Sequence, residues 1–304
     1  MNKLPTVIII AGPTAVGKTS LAIQLAQRLD AEIISADSRQ CYRELNIGVA
    51  RPSVQELQSV PHQFIASHSL NDPVTAALFE QVALQLTPEL LLKSPYVVMT
   101  GGTGLYIKAF MEGLDPIPAI PTAIRQSIQS SYETKGLPWL QEQVQQLDPE
   151  FWKLAEQQNP RRLQRALEVW YATGQSILHF RNQQKVRRPF RILPFCLTMP
   201  HPMLRERIDR RVDEMMAAGL LQEVQQLKQF RHLPALQTVG YREILEHLDG
   251  KYSLEEAVQK IKINTWHYAR RQMTWWKKQP DFIFLPALEQ PLDSICANIE
   301  MTSV

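Results

Sequence analysis

Residues 12–19, Gly12-Pro13-Thr14-Ala15-Val16-Gly17-Lys18-Thr19, have the spacing G-x-x-x-x-G-K-[ST]. The two glycines let the backbone turn so that successive N–H groups face one anion. A helix opening at this point adds the positive end of its dipole. Lys18 adds a mobile positive charge, and the Thr19 hydroxyl can hold a magnesium ion. ATP is the usual guest of such a loop, but any diphosphate fits the cradle. A second chemically loaded stretch is Asp37-Ser38-Arg39-Gln40. A carboxylate beside a phosphate cradle can chelate magnesium, bind a substrate hydroxyl or serve as a general base. An Asp in such a place also commonly caps the next turn. A third is the glycine-rich turn Gly101-Gly102-Thr103-Gly104.

Strands must bring these three segments together. Thr6 to Ala11 is a β-branched apolar run, read as a buried strand that leads into the P-loop. Ser20 to Leu29 carries Leu21, Leu25 and Leu29 on one helical face. Glu32 to Ala36 reads as a short second strand ending at Asp37, and Tyr96 to Thr100 as a third ending at Gly101. Between them, Val74 to Leu92 reads as a helix with Asp72 as cap and Pro73 at its first position. Alternating strands and helices imply a parallel sheet with right-handed crossovers, whose site is built from loops at the C-terminal strand ends.

The prolines at 116, 118 and 121 then break the pattern, and the chain becomes mainly helical. Pro160 to Thr173 predicts a helix ending at Gly174, and Phe190 to Met199 a returning strand. Helices follow from Pro202. Ser253-Leu254-Glu255-Glu256 forms a capping box that opens a long helix to about Lys278, and Asp281 to Leu285 reads as a last strand. The expected fold class is α/β: a P-loop NTPase-like parallel sheet with helices on both faces and an inserted helical subdomain. The expected division is a core of 1–114 and 190–304 around an insertion at 115–189.

Charge is unevenly distributed. Residues 1–150 hold 10 Lys and Arg against 14 Asp and Glu; residues 151–280 hold 23 against 12; residues 281–304 hold none against 4. A basic block of this kind attracts a polyanion or solvates a helical surface. Cys41, Cys196 and Cys296 lie far apart, signalling neither zinc nor a disulfide framework, so a reducing cytoplasm is expected. The apolar run at Val7 to Ala11 is too short for a signal core or a membrane span.

The motifs, in order, resemble those of the tRNA dimethylallyltransferases, also called tRNA isopentenyltransferases. The matching pieces are the P-loop, Asp37-Ser-Arg-Gln-Cys-Tyr42, Pro61-His62, Gly101-Gly-Thr-Gly-Leu-Tyr106, Arg161-Arg-Leu-Gln-Arg-Ala-Leu-Glu168, Val239-Gly-Tyr-Arg242 and Arg271-Gln-Met-Thr-Trp275. They run through most of the chain. The P-loop alone is generic, whereas D-S-x-Q, G-G-T-G-L-Y and V-G-Y-R in this order are specific together.

The resemblance implies transfer of a dimethylallyl group from dimethylallyl diphosphate to the exocyclic amine of the adenine on the 3′ side of a tRNA anticodon. It implies that residues 12–19 hold the diphosphate and that Mg2+, carried by Thr19, neutralises it. Thr14, Lys18 and Arg207 would act on the leaving group, and Asp37 would be the base. The tRNA contacts it implies begin with Asp37, Ser38, Arg39, Gln40, Thr103 and Arg125. They continue along one helix through Arg161, Arg162, Leu163, Gln164 and Arg165, then Gly240, Tyr241 and Arg242. Arg270, Arg271, Gln272, Trp275 and Lys277 complete them. Arg161 and Arg165 share a helical face, and basic residues interleaved with aromatics suit a splayed anticodon loop. Packing in the core is the competing, and favoured, account of Trp275 and Trp276. His62 and Arg211 are further candidates. A monomer is expected. Eukaryotic members often continue into a zinc-binding segment; no paired Cys or His follows residue 280, as expected of the shorter bacterial form.

Two other readings use the same P-loop. A small-molecule or nucleoside kinase would use the magnesium and the Asp, but leaves the basic, Trp-containing helix without a task. An RNA-binding ATPase switch would end an apolar strand in an acid, which Tyr96 to Thr100 does not.

Overall fold

The computed structural model describes residues 4–181 and 185–301. It divides into two compact units, residues 1–112 with 187–304 and residues 113–186. The first unit is built on a six-stranded, wholly parallel sheet. Its elements in chain order are β1 (Thr6–Ala11), α1 (Lys18–Leu29), β2 (Ile33–Ser35), α2 (Val54–Ser59), β3 (His62–Gln63), α3 (Ala76–Lys93), β4 (Tyr96–Thr100) and α4 (Gly104–Glu112). The second unit holds α5 (Thr122–Leu147), kinked at Gly136, with α6 (Pro149–Leu154) and α7 (Pro160–Thr173). The chain then returns to the first unit as β5 (Arg191–Thr198), α8 (His201–Ala217), α9 (Leu220–Gln226), α10 (Tyr241–Leu248), α11 (Leu254–Trp276), β6 (Ile283–Pro286) and α12 (Pro291–Met301).

The strands lie in the order β3-β2-β4-β1-β5-β6. Strand β1 sits inside the sheet and every one of its residues is buried, because successive side chains serve opposite faces. Val7, Ile9 and Ala11 enter one core cluster, while Ile8 and Ile10 enter the other. That explains a continuous apolar run where a half-exposed strand would alternate. The helical unit has its own core, in which Leu140, Val144, Leu163 and Leu167 meet. It can therefore be read as a separate helical body on packing grounds.

The sequence misplaces some boundaries. Helix α3 begins at Ala76, capped by Thr75, whose Oγ1 accepts from the Leu78 N–H at 3.1 Å. Asp72 instead accepts from the Ser69 N–H in the preceding turn. Two-residue β3 carries no readable pattern, and neither it nor α12 is anticipated. Both capping-box bonds at Ser253 and Glu256 are present. No described helix is long and apolar enough to cross a membrane.

Candidate active site

Parallel strands deliver their following loops to one edge of the sheet. The neighbours β2, β4, β1 and β5 are followed by the Asp37 turn, the 101–104 turn, the P-loop and helix α8. These four segments line a cleft of about 500 Å³. Lys18, Arg51, Arg207, Arg210 and Arg211 face it, against the carboxylates of Asp37, Glu56 and Glu214. The excess of cations makes the cleft suited to an anion.

The P-loop is held from several sides. The Lys18 ammonium donates to the Pro13 carbonyl at 2.7 Å. Burial, and next the Arg211 charge, pull the Lys18 pKa down to about 8; Asp37 and Cys196 act the other way. From α8, Arg207 Nη1 donates to the Val16 carbonyl at 3.3 Å, and Arg211 Nη1 donates to Thr14 Oγ1 at 3.3 Å. Burial pushes the Arg211 pKa down, with Asp37 as the main opposing charge. Two guanidiniums one helical turn apart thus reach the loop from the side opposite Asp37's strand. Arg207 and Arg211 therefore both brace the P-loop from α8.

The two carboxylate oxygens of Asp37 differ in their surroundings. Its Oδ1 accepts from the Arg39 N–H at 2.9 Å and the Gln40 N–H at 3.3 Å, the turn-capping role. Its Oδ2 has no hydrogen-bond partner among the described residues, and the side chain lines the cleft. Capping and chemistry are therefore compatible, since each uses one oxygen. The 101–104 turn is pressed against this segment. A Cβ on Gly101 would lie 2.1 Å from the Ala36 carbonyl oxygen, so only glycine permits the approach. Thr103 Oγ1 accepts from the Ser38 N–H at 3.0 Å. Its hydroxyl donates to Ser38 Oγ at 3.3 Å.

Several residues expected to touch RNA make contacts within the protein, and Gln40 and Gln272 also line the cleft. Gln40 Nε2 donates to the carbonyls of Val49 and Ala50, at 3.2 and 2.9 Å. Gln272 is only 7% exposed; its Oε1 accepts from the Thr14 N–H and its Nε2 donates to the Gly102 carbonyl, both at 2.9 Å. Tyr241 and Leu163 are fully buried, and Gly240 donates its N–H to Glu243 at 2.8 Å. Trp275 is half-buried with its ring nitrogen enclosed beneath Gly104, and Trp276 is buried, as core packing requires. His62 lies on β3, where its Nδ1–H donates to the Val60 carbonyl at 2.8 Å, and it does not line the cleft.

Other candidates are exposed. Arg161, Arg162, Arg270, Arg271 and Lys277 face solvent. Within the helical unit Arg162 pairs with Glu156 at 3.4 Å, and Arg125 and Arg165 converge on Glu168 at 3.9 and 3.0 Å. Gln164 Nε2 donates to Gln129 Oε1 at 2.9 Å. Arg242 pairs with Glu243 at 2.9 Å. Arg51 and Tyr268 line the cleft although neither belongs to a motif read from the sequence.

The IPP transferase family model matches residues 40–279. The chain belongs to that family. A tRNA dimethylallyltransferase 1 of Bacteroides thetaiotaomicron is 44% identical to this transferase over 278 residues, covering 91% of this chain and 90% of the relative. A tRNA dimethylallyltransferase of Cytophaga hutchinsonii is 42% identical, covering 90% of each. The crystal structure of a tRNA isopentenylpyrophosphate transferase from Bacillus halodurans aligns with TM-score 0.72 at 31% identity over 98% of both chains. A eukaryotic dimethylallyltransferase, captured in crystallographic snapshots acting on tRNA, aligns with TM-score 0.80 at 27% identity, covering 98% of this chain and 79% of its own.

Proposed function

We propose that this transferase moves a dimethylallyl group from dimethylallyl diphosphate to the exocyclic amine of the adenosine 3′ to the anticodon of tRNA. The observation that carries the reading is the shared cleft. An anion cradle with Lys18, Arg207 and Arg211 stands beside a carboxylate, Asp37, with one oxygen uncommitted. Relatives named tRNA dimethylallyltransferase support the transferred group and tRNA as its acceptor.

The C1–O bond of the donor breaks and the diphosphate leaves with the electron pair, while the adenine nitrogen forms its bond to C1. Lys18 and the two arginines hold the leaving oxygens, and their charge stabilises the anion as it develops. The adenine amine is a weak nucleophile because its lone pair is delocalised into the ring. Asp37 Oδ2 takes its proton as the new bond forms. No nucleotide is hydrolysed; the donor's own bond drives the transfer.

The Thr19 hydroxyl lines the cleft and has no hydrogen-bond partner among the described residues. Those residues contain no cluster of three or more His, Cys, Asp or Glu able to cage a metal. This donor set fits Mg2+, which takes few protein ligands and completes its shell with phosphate oxygens and water. Bound there, Mg2+ would neutralise charge on the leaving diphosphate. The exposed arginines of α7 and the end of α11 would bind tRNA phosphates, positioning the loop from which the base is withdrawn. We further propose that the protein works as a cytoplasmic monomer.

Labelled dimethylallyl diphosphate, Mg2+ and unmodified tRNA should together yield N6-isopentenyladenosine on nucleoside analysis. Absence of label in tRNA, with ATP-dependent phosphorylation of a metabolite instead, would overturn the reading in favour of a kinase.

A further inference from the structure

Residues 46–52 form one wall of the cleft, to which Val49, Ala50, Arg51 and Pro52 contribute. They contain no regular secondary structure, yet they are fastened at both ends. The adjacent N–H groups of Ile47 and Gly48 donate to the two carboxylate oxygens of Glu223 in α9, at 2.7 and 3.1 Å. The hydroxyl of Tyr241, first residue of α10, donates to the same carboxylate at 2.6 Å. Tyr241 is fully buried and its ring packs against Gly48, where an added Cβ would stand 2.6 Å from ring carbons. Burial, then the neighbouring Glu223 charge, push the phenol far above its usual range, so it remains a donor. Glu243 in turn fixes the start of α10 by accepting from the Gly240 N–H and from Asn264.

The other end of the wall leads to the proposed base. Gln40 holds the Val49 and Ala50 carbonyls through its side chain, and its own N–H donates to Asp37 Oδ1. Arg51 Nη2 donates to the carbonyls of Tyr42, Arg43 and Leu45, closing the segment between Asp37 and the wall. A continuous set of hydrogen bonds therefore runs from Tyr241 through Glu223, the 47–50 backbone and Gln40 to Asp37.

We infer that Glu223 and Tyr241 are positioning residues for the transfer step, setting the 46–52 wall and through it the orientation of Asp37. Neither side chain touches the cleft, so their effect is on the rate of transfer and not on donor affinity. The assignment rests on the reaction proposed above. It gives Tyr241 of the V-G-Y-R motif a task inside the protein. Bidentate acceptance of two successive N–H groups suits this purpose, because it fixes both the place and the tilt of the peptide.

The test uses Tyr241→Phe, which keeps the ring against Gly48 and removes one bond to Glu223, and Glu223→Gln, which alters the acceptor of both N–H groups. Hydrogen exchange of residues 46–52 reads the fastening directly, and single-turnover transfer reads its consequence. Expected are faster exchange at Ile47 and Gly48, a transfer rate lowered about tenfold or more, and donor Kd and melting temperature close to wild type. Unchanged exchange in both variants would remove the fastening; faster exchange with an unchanged transfer rate would remove the positioning role. A rate loss that merely tracks the unfolded fraction would also overturn it. If the wild-type protein itself transfers nothing, the proposed function fails while the exchange measurement still decides whether Glu223 and Tyr241 hold the wall.

Discussion

The backbone N–H of Thr14 donates to the side-chain carbonyl of Gln272 at 2.9 Å, across 258 residues of sequence. The same amide donates to the Gly102 carbonyl, so one side chain from α11 joins the P-loop to the 101–104 turn. The Thr14 N–H is thereby occupied, leaving the Thr14 hydroxyl, with Arg211 already bonded to it, as that residue's part of the anion cradle.

Gln272→Ala should separate the two loops. It leaves a donor and an acceptor without this partner, each costing about 1–3 kcal/mol where water cannot replace it. The melting temperature should fall. Gln272→Glu keeps an acceptor for Thr14 but sets a carboxylate oxygen against the Gly102 carbonyl and beside the anion cradle. Its donor KM should rise at least about tenfold, or ~1.4 kcal/mol, measured by initial rates with tRNA saturating.

Lys18 links the cradle to pH. Its pKa in the folded protein is about 8 against an ordinary 10.5, chiefly through burial. Between these values the unfolded chain binds more protons, so this group makes stability rise with pH. The burial penalty is full below about pH 8 and relieved towards pH 10.5. Lys18→Met should flatten that part of the stability profile, seen as the difference between denaturant midpoints of the two proteins. Donor affinity should move oppositely: it weakens above about pH 8 as the free lysine loses its charge. The variant should bind donor at least about tenfold more weakly and lack this dependence.

The sheet was legible because β1 and β4 are buried along their whole length and β5 over residues 194–197, and apolar runs spell them out. Asp37 and the P-loop were legible for a related reason, since strand ends in a parallel sheet announce their loops. The burial of Gln272 and Tyr241 was harder to read because the charges around them belong to other helix faces. The signal existed: Ala269, Gln272 and Trp276 follow one another at helical spacing and all are buried. Arg51 and Tyr268 carried no such signal. They enter the cleft from a loop and a distant helix, and only the tertiary fold brings them there.

Asp37→Asn preserves an oxygen for the Arg39 and Gln40 N–H groups while removing the basic carboxylate. Transfer should fall by about 10²-fold or more, with donor and tRNA still bound. Asp37→Ala should lose the turn cap as well and show an added loss of stability of about 1 kcal/mol. Wild-type single-turnover rates in the Asn variant would remove Asp37 from the base role.

The arginines of α7 are not equivalent. Arg165 shares Glu168 with Arg125, Arg162 has Glu156, and Arg161 has no acidic partner among the described residues. If they bind the RNA backbone, Arg161→Ala and Arg162→Ala should each weaken tRNA binding at low salt. Each should also reduce the slope of log K against log salt by about 0.7–0.9. An unchanged slope in the double variant would make this face a solvated one.

Tyr268 supplies the one aromatic ring among the residues lining the cleft, and it is 40% exposed. The Arg271 guanidinium lies 6.0 Å from its centroid, on the same helix that carries Gln272. A base drawn out of the anticodon loop towards Asp37 loses its stacking partners, and a half-open ring at the cleft wall can replace one of them. Such stacking contributes about 1–3 kcal/mol per base in alanine substitutions. Tyr268→Ala should therefore raise the tRNA KM about tenfold to a hundredfold while leaving donor Kd unchanged, and Tyr268→Phe should stay close to wild type. A Phe variant as damaged as the Ala variant would assign the contribution to the hydroxyl and not to the ring, because phenylalanine keeps the π-face and loses only the polar atom.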